Sequence, residues 1–128
     1  MKIKVSELVG AKLDAWVSMA TGREAYVESY EDDGSEQCWT RGDGFTNDNP
    51  YSPSTDWSQG GPIIERERIC VRGPGPMGGP NPEYYWTAYI DTGSYAGGGH
   101  NGHGRTPLIA AMRCFVASKF SEEVEEEA

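Results

Sequence analysis

RTPLIAAMRCFVASKF, residues Arg105 to Phe120, is the stretch whose reading decides the architecture. Thr106 followed by Pro107 is the pairing expected of an N-cap and a first helical position. Leu108, Met112, Phe115 and Val116 then fall on one face at helical spacing, so this helix must bury a stripe against another layer. The partner layer is announced just upstream. EYYWTAYI, Glu83 to Ile90, is dense in aromatics and is the strongest strand signal in the chain. A helix on a sheet implies an α+β fold.

The rest of the chain fits that frame. KIKV alternates as a short strand, and Ser6 reads as the N-cap of a helix running to about Ala20. Val9, Leu13, Trp16, Val17 and Ala20 lie on its inner face, with Trp16 packed in the core and Gly22 ending the helix. REAYVESY and EQCWTR, joined by the turn EDDGSE, read as a hairpin. GDGFTNDNPYSP, Gly42 to Pro53, is a polar loop, and ICVRG is a further strand. GPGPMGGPNP (Gly73 to Pro82) and TGSYAGGGHNGHG (Thr92 to Gly104) exclude regular ladders by composition. The expectation is one domain over 1–121: a small antiparallel sheet packed by an N-terminal and a C-terminal helix, with long Gly/Pro-rich loops. Residues 122–128 are expected to be a solvated acidic tail. No internal repeat is visible.

Composition narrows the function classes. The chain has 128 residues and a net charge of −9, and five of its glutamates lie in the last seven residues. That charge argues against tracking along DNA or RNA, so no direct nucleic-acid binding is expected. No apolar run is long enough to span a membrane. MKIKVSEL lacks the apolar core of a signal peptide, which points to the cytoplasm. Three widely spaced cysteines, Cys38, Cys70 and Cys114, form no CxxC pair and read as reduced, small apolar residues. Arginine outnumbers lysine seven to four, a bias that suits a local pocket for phosphate or carboxylate.

STDWSQGGPIIERERI, Ser54 to Ile69, concentrates the candidate ligand chemistry. One reading has a short helical turn closed at Gly60 or Gly61, with Pro62 opening a second helix. The amides of Gly60 and Gly61 would then face an anion, with Arg66 or Arg68 as a charged fork and Trp57 as a stacking surface. The other reading is a glycine-dependent corner that buries Trp57, Ile63 and Ile64, with Asp56 capping a turn. Both can hold together. Arg105 and Thr106 supply a second anion-facing helix start. Tyr84, Tyr85 and Trp86 are further candidates for stacking on a base.

Catalytic signatures are absent: no GxSxG, no HExxH, and no cysteine in a catalytic setting. His100 and His103, with Asp91 upstream, lack the further partners that a metal centre requires, so no metal and no cofactor are expected. The Gly-rich stretch carrying them reads either as a loop that closes over a ligand, with Arg105 at its base, or as disorder.

Three blocks carry a family resemblance: KIKVSELVGAKLDAWV, PSTDWSQGGPIIERERI and TPLIAAMRCFVASKF. Together they resemble the NinX-like family of small proteins from tailed phages and prophages, in that family's order and over about half the chain. The resemblance implies a phage accessory protein acting in the bacterial cytoplasm. It implies no activity and transfers no catalytic residues. Residues 73–82 and 93–104 read as additions to the plainer middle of that family.

The expected function is therefore a non-catalytic anti-defence protein that binds and sequesters a small phosphate-bearing signalling nucleotide, of the cyclic nucleotide or cyclic ADP-ribose type. Its candidate ligand residues are Asp56, Trp57, Gly60 and Gly61, with Arg66, Arg68, Arg105 and Thr106. A homo-oligomer sharing pockets between subunits is compatible with this reading. Inhibition of a host protein is the first alternative and hydrolysis of a nucleotide signal, using Asp56 with His100 or His103, the second.

Overall fold

The computed structural model describes residues 2–42, 47–73, 86–90 and 101–125. Within them the elements run β1 (Lys2–Lys4), a 3-10 turn (Val5–Glu7), α1 (Gly10–Ala20), β2 (Ala25–Ser29), β3 (Glu36–Thr40) and β4 (Asn49–Pro50). They continue with α2 (Trp57–Glu67), β5 (Ile69–Arg72), β6 (Trp86–Ile90), β7 (Asn101–Gly104), α3 (Pro107–Lys119) and β8 (Glu123–Glu125). This is an α+β fold. Its strands form three small antiparallel sheets, ordered β1-β8, β2-β3-β4 and β5-β6-β7, instead of one.

Helix α3 is the centre of the core. Thr106 caps it through its side-chain oxygen, which accepts from the Ile109 N–H at 3.1 Å, and Pro107 opens it as expected. The helix buries Leu108, Met112, Phe115 and Val116, but the side that meets β7 is the small-residue one carrying Ala110 and Cys114, while Leu108 faces Gly60 of α2. The approach to β7 is at main-chain distance. A side chain at Gly102 would collide with the Ala110 carbonyl and the Cys114 backbone, and one at Gly104 with Ile109. The glycines that hid β7 in the sequence are the reason the strand fits there. The rest of that Gly-rich stretch, His100 included, lies outside the described residues, as do Glu83–Tyr85 of the aromatic strand.

The N-terminal half departs from expectation in its joints. Ser6 does not cap α1; it sits in the 3-10 turn, and the helix starts at Gly10, whose φ of +58° suits a residue without Cβ. Leu13 and Val17 are buried as anticipated and Trp16 packs edge-on to Phe120 at the rim of the core, but Val9 is 57% exposed. The β2–β3 hairpin forms, pairing Ala25 with Thr40 and Val27 with Cys38. Within the loop expected over Gly42 to Pro53, Asn49–Pro50 extends that sheet by a short third strand. At the C-terminus, Glu123–Glu125 is not a solvated tail. Val124 alternates inward between two glutamates, is buried, and the segment pairs with β1.

The largest correction concerns α2, which runs unbroken through Gly60-Gly61-Pro62. Pro62 gives up one i→i−4 bond, and its ring normally crowds the Cβ of the preceding residue. Gly61 has no Cβ to crowd. Gly60 is buried under the Pro53 carbonyl and Leu108, so the helix seats directly on α3. Ile63 is buried while Trp57 is 57% exposed, which overturns the corner that buries both. The helix ends at Arg68, a non-glycine residue held in the left-handed region at φ 54°, ψ 47°.

Two stability outcomes follow from these geometries. Arg68→Gly relieves a left-handed conformation that costs an L-residue about 1 kcal/mol, so urea denaturation should show stability unchanged or raised by roughly 0.5–1 kcal/mol. Gly102→Ala should destabilise by at least about 2 kcal/mol in the same assay, because backbone atoms of α3 would have to move.

Candidate functional site

The face of α2 carrying Gln59, Ile63 and Arg66 (positions i, i+4 and i+7) forms one wall of a cleft of about 330 Å³. Thr21 and Arg23, just beyond the C-terminus of α1, also line it, together with Thr40, Asn49 and Tyr51. Local bonds hold this arrangement. The Ser18 hydroxyl donates to the Arg23 carbonyl at 3.1 Å, fixing the turn after α1. The Gln59 side chain accepts from the Ser52 N–H at 2.6 Å and donates to the Pro50 carbonyl at 3.2 Å, clamping the β4 segment to α2. Tyr51 donates its N–H to Cys38 at 2.9 Å.

The electrostatics centre on Tyr51. Burial raises its phenol above the ordinary value and the nearby Asp14 adds to that, while Arg23 and Arg66 pull it down. Two guanidinium groups therefore act on one phenol in a cleft whose described lining includes no Asp or Glu. Arg66 also meets Glu67 at 3.1 Å, and Glu67 meets Lys119 at 3.5 Å. Asp14, whose charge also acts on Tyr51, is buried on α1 and accepts the Ser54 N–H at 2.8 Å. Burial raises its carboxyl to about 6, partly opposed by the Ser54 hydrogen bond. The neighbouring Cys38 thiol is pushed to about 12, chiefly by burial, which leaves it protonated and inert.

The residues singled out from sequence are not all brought together. Arg66 lines the cleft; Arg105 lines a separate one of about 390 Å³ beside Arg113 and Ile109. Arg68 is the C-cap of α2. Asp56 caps the N-terminus of α2, its carboxylate accepting from the Ser58 N–H at 2.9 Å and hydroxyl at 2.7 Å. That helix end already holds an anion of its own. Gly60 and Gly61 do not present free amides: they lie inside α2, and the Gly60 N–H is bonded to the Asp56 carbonyl at 2.8 Å. The cradle expected at Gly60 and Gly61 is therefore withdrawn, and the cap reading of Asp56 stands. Thr106 is engaged as the cap of α3. Tyr84 and Tyr85 lie outside the described residues.

Arg23, Tyr51, Asn49 and Asp14 escaped the sequence reading. Asp14 had a usable signal, since it shares the inner face of α1 with Ala11 and Ser18, where a carboxylate must be accommodated. Tyr51, between two prolines in a polar loop, was a weaker one.

A family profile described as "Bacteriophage P22, NinX" matches residues 4–119. The chain belongs to the NinX family. No curated protein matches it. This is thus a phage protein by family, and among its described residues no helix is long and apolar enough to cross a membrane. NinX membership assigns no residue a role, so roles rest on the geometry above.

Asp14 yields a pH test of the bond joining α1 to the segment that leads into α2. Its carboxyl is raised from 3.8 to about 6 in the folded NinX chain, so the fold favours its protonated form. The corresponding stability is fully present below about pH 4 and is lost as pH rises through 6, a span of about 3 kcal/mol. Asp14→Asn removes the titration. Denaturation of both proteins at pH 4.5 and pH 7.5 should show the wild type losing stability relative to the variant on going to the higher pH.

Proposed function

We propose that this chain is an anti-defence accessory protein that binds and sequesters, without cleaving, a small phosphate-bearing signalling nucleotide in the cytoplasm of the infected bacterium. The cyclic nucleotide and cyclic ADP-ribose types are the candidates. The observation that carries the reading is the pairing of Arg23 and Arg66 around Tyr51 in a cleft lined without carboxylates. Guanidinium groups bind phosphate through paired, charge-assisted hydrogen bonds, and two of them suit a ligand with more than one phosphate oxygen exposed. Thr40 and Asn49 add neutral polar groups, and the volume falls within the range of small-molecule sites.

Sequestration is favoured over hydrolysis by what surrounds the cleft. Asp56, the carboxylate a hydrolase would enlist, is engaged as a helix cap, and His103 lines another cleft. Asp14 is buried and is not part of the cleft's described lining.

The test is calorimetric titration with a panel of cyclic oligonucleotides and cyclic ADP-ribose isomers, followed by recovery of the ligand after heat denaturation. The expected result is tight binding with intact recovery. Arg23→Ala and Arg66→Ala should each weaken binding about 10- to 100-fold, as the loss of a charged hydrogen-bonding group does. Arg68→Gly should leave it unchanged. Cleaved ligand would replace the reading with an enzyme, and no binding across the panel would overturn it.

A further inference from the structure

The β2-β3-β4 sheet has two unlike edges. One is β4, two residues long and ending in Pro50, which has no N–H to offer. The other is β2, the five residues Ala25–Ser29. Exposed edge strands are commonly blunted by lysine, proline, bulges or inward-pointing charge. AYVES carries no lysine, proline or glycine, and its single charge, Glu28, lies on the outer face. Ala25 and Val27 are half-buried, on the face they share with the buried Cys38 and Thr40.

The register fixes which backbone groups are free. Tyr30 donates its N–H to the Ser35 carbonyl at 2.8 Å, and Arg41 donates its N–H to the Glu24 carbonyl at 3.2 Å. Both pairs continue the β2–β3 register, so Tyr26 and Glu28 turn their backbone groups to β3. Ala25, Val27 and Ser29 turn theirs to the open side, where no other described strand pairs with them. A second copy of the chain meets this edge in a self-complementary way. With Val27 on a two-fold axis, all five residues of each β2 pair antiparallel, Ala25 opposite the second copy's Ser29 and Tyr26 opposite its Glu28. Every outward N–H then faces a carbonyl, and the two valines meet on the half-buried side. Charge favours the same register. The Arg41 guanidinium lies 4.9 Å from the centre of the Tyr26 ring, so the incoming Glu28 arrives beside a cation. Centring the pairing on Glu28 would set two glutamates directly opposite, and centring it on Tyr26 would leave Glu28 and Ser29 beyond the overlap of the strands.

We infer that two copies of this chain associate through β2, antiparallel about Val27, joining their β2-β3-β4 sheets into one. The net charge of −9 on each copy opposes the contact, so the test belongs at physiological ionic strength, where the screening length is about 8 Å. The association does not depend on the nucleotide cleft, whose lining comes from a single copy.

The experiment is sedimentation velocity of the full chain over a dilution series of about a hundredfold, with amide hydrogen exchange read by NMR at both ends of the series. The expected result is a dimer that dissociates on dilution. The amides of Ala25, Val27 and Ser29 should be protected in the dimer and exchange quickly in the monomer. Those of Tyr26 and Glu28, bonded to β3, should stay protected throughout and report an intact sheet. Ser29→Pro removes one outward donor from each copy without breaking a bond to β3, and should weaken the dimer at least about 10-fold. Glu28→Lys, which sets a cation beside Arg41, should weaken it in the same direction. A monomer at every concentration overturns the inference. So does a dimer in which Ala25 and Val27 still exchange quickly, or one that neither variant weakens while the sheet stays intact. The calorimetric titration reads the Arg23–Arg66 cleft on its own, so the two readings fail separately.

Discussion

The contact on which the molecule depends is the approach of α3 to β7 at backbone distance. Gly102 and Gly104 offer no side chains on the strand, and Ala110 and Cys114 offer small ones on the helix. Close packing of this kind brings many weak dispersion contacts into range at once, and it tolerates no added methylene. Everything else is arranged around the helix so placed. Helix α1 packs on it through the Leu13 and Val17 side, α2 seats Gly60 against Leu108, and the paired termini lie beside it through Val5 and Val124. The same helix carries Arg113 to the wall shared by two clefts. A shift of α3 would therefore disturb the core and that wall together.

The second constraint is the stretch from Pro53 to Gly60, where α1, the β4 segment and α2 are joined. Asp14 accepts the Ser54 N–H, Gln59 holds Ser52 and Pro50, and Gly60 passes under the Pro53 carbonyl. Each of these links crosses between elements. Arg23, in the turn after α1, and Arg66, on α2, are distant in sequence, and this joint helps to bring them onto one cleft. An ionised carboxylate buried there costs stability, which is why burial raises Asp14 to about 6. The hydrogen bond from Ser54 only partly offsets that cost.

What could be read from the sequence was what local chemistry specifies. The Thr106-Pro107 start, the buried stripe of α3 and the β2–β3 hairpin all follow from caps, periodicity and turns acting over a few residues. The misread elements depend on contacts far apart in the chain. Gly60-Gly61-Pro62 reads as a break because glycine and proline both disfavour helix; only the neighbourhood of Pro53 and Leu108 shows that a side chain at Gly60 has no room. Asn101–Gly104 reads as loop for the same reason, until α3 is laid against it. The candidate site was half legible. Arg66 lies in the stretch that drew attention, but its partners Arg23 and Tyr51 reach it only through tertiary structure.

Separation of charge gives these parts a common logic. A net charge of −9 repels a polyanion over its whole length, and this repulsion grows with the number of phosphates presented. A small ligand experiences mainly what lies within a screening length of about 8 Å at physiological ionic strength. At the cleft between α1 and α2, Arg23 and Arg66 are the charged groups of the described lining, with Asp14 and the Glu67 paired to Arg66 close by. Long-range repulsion of a polyanion and a local pair of arginines are the contrast on which the proposed function draws.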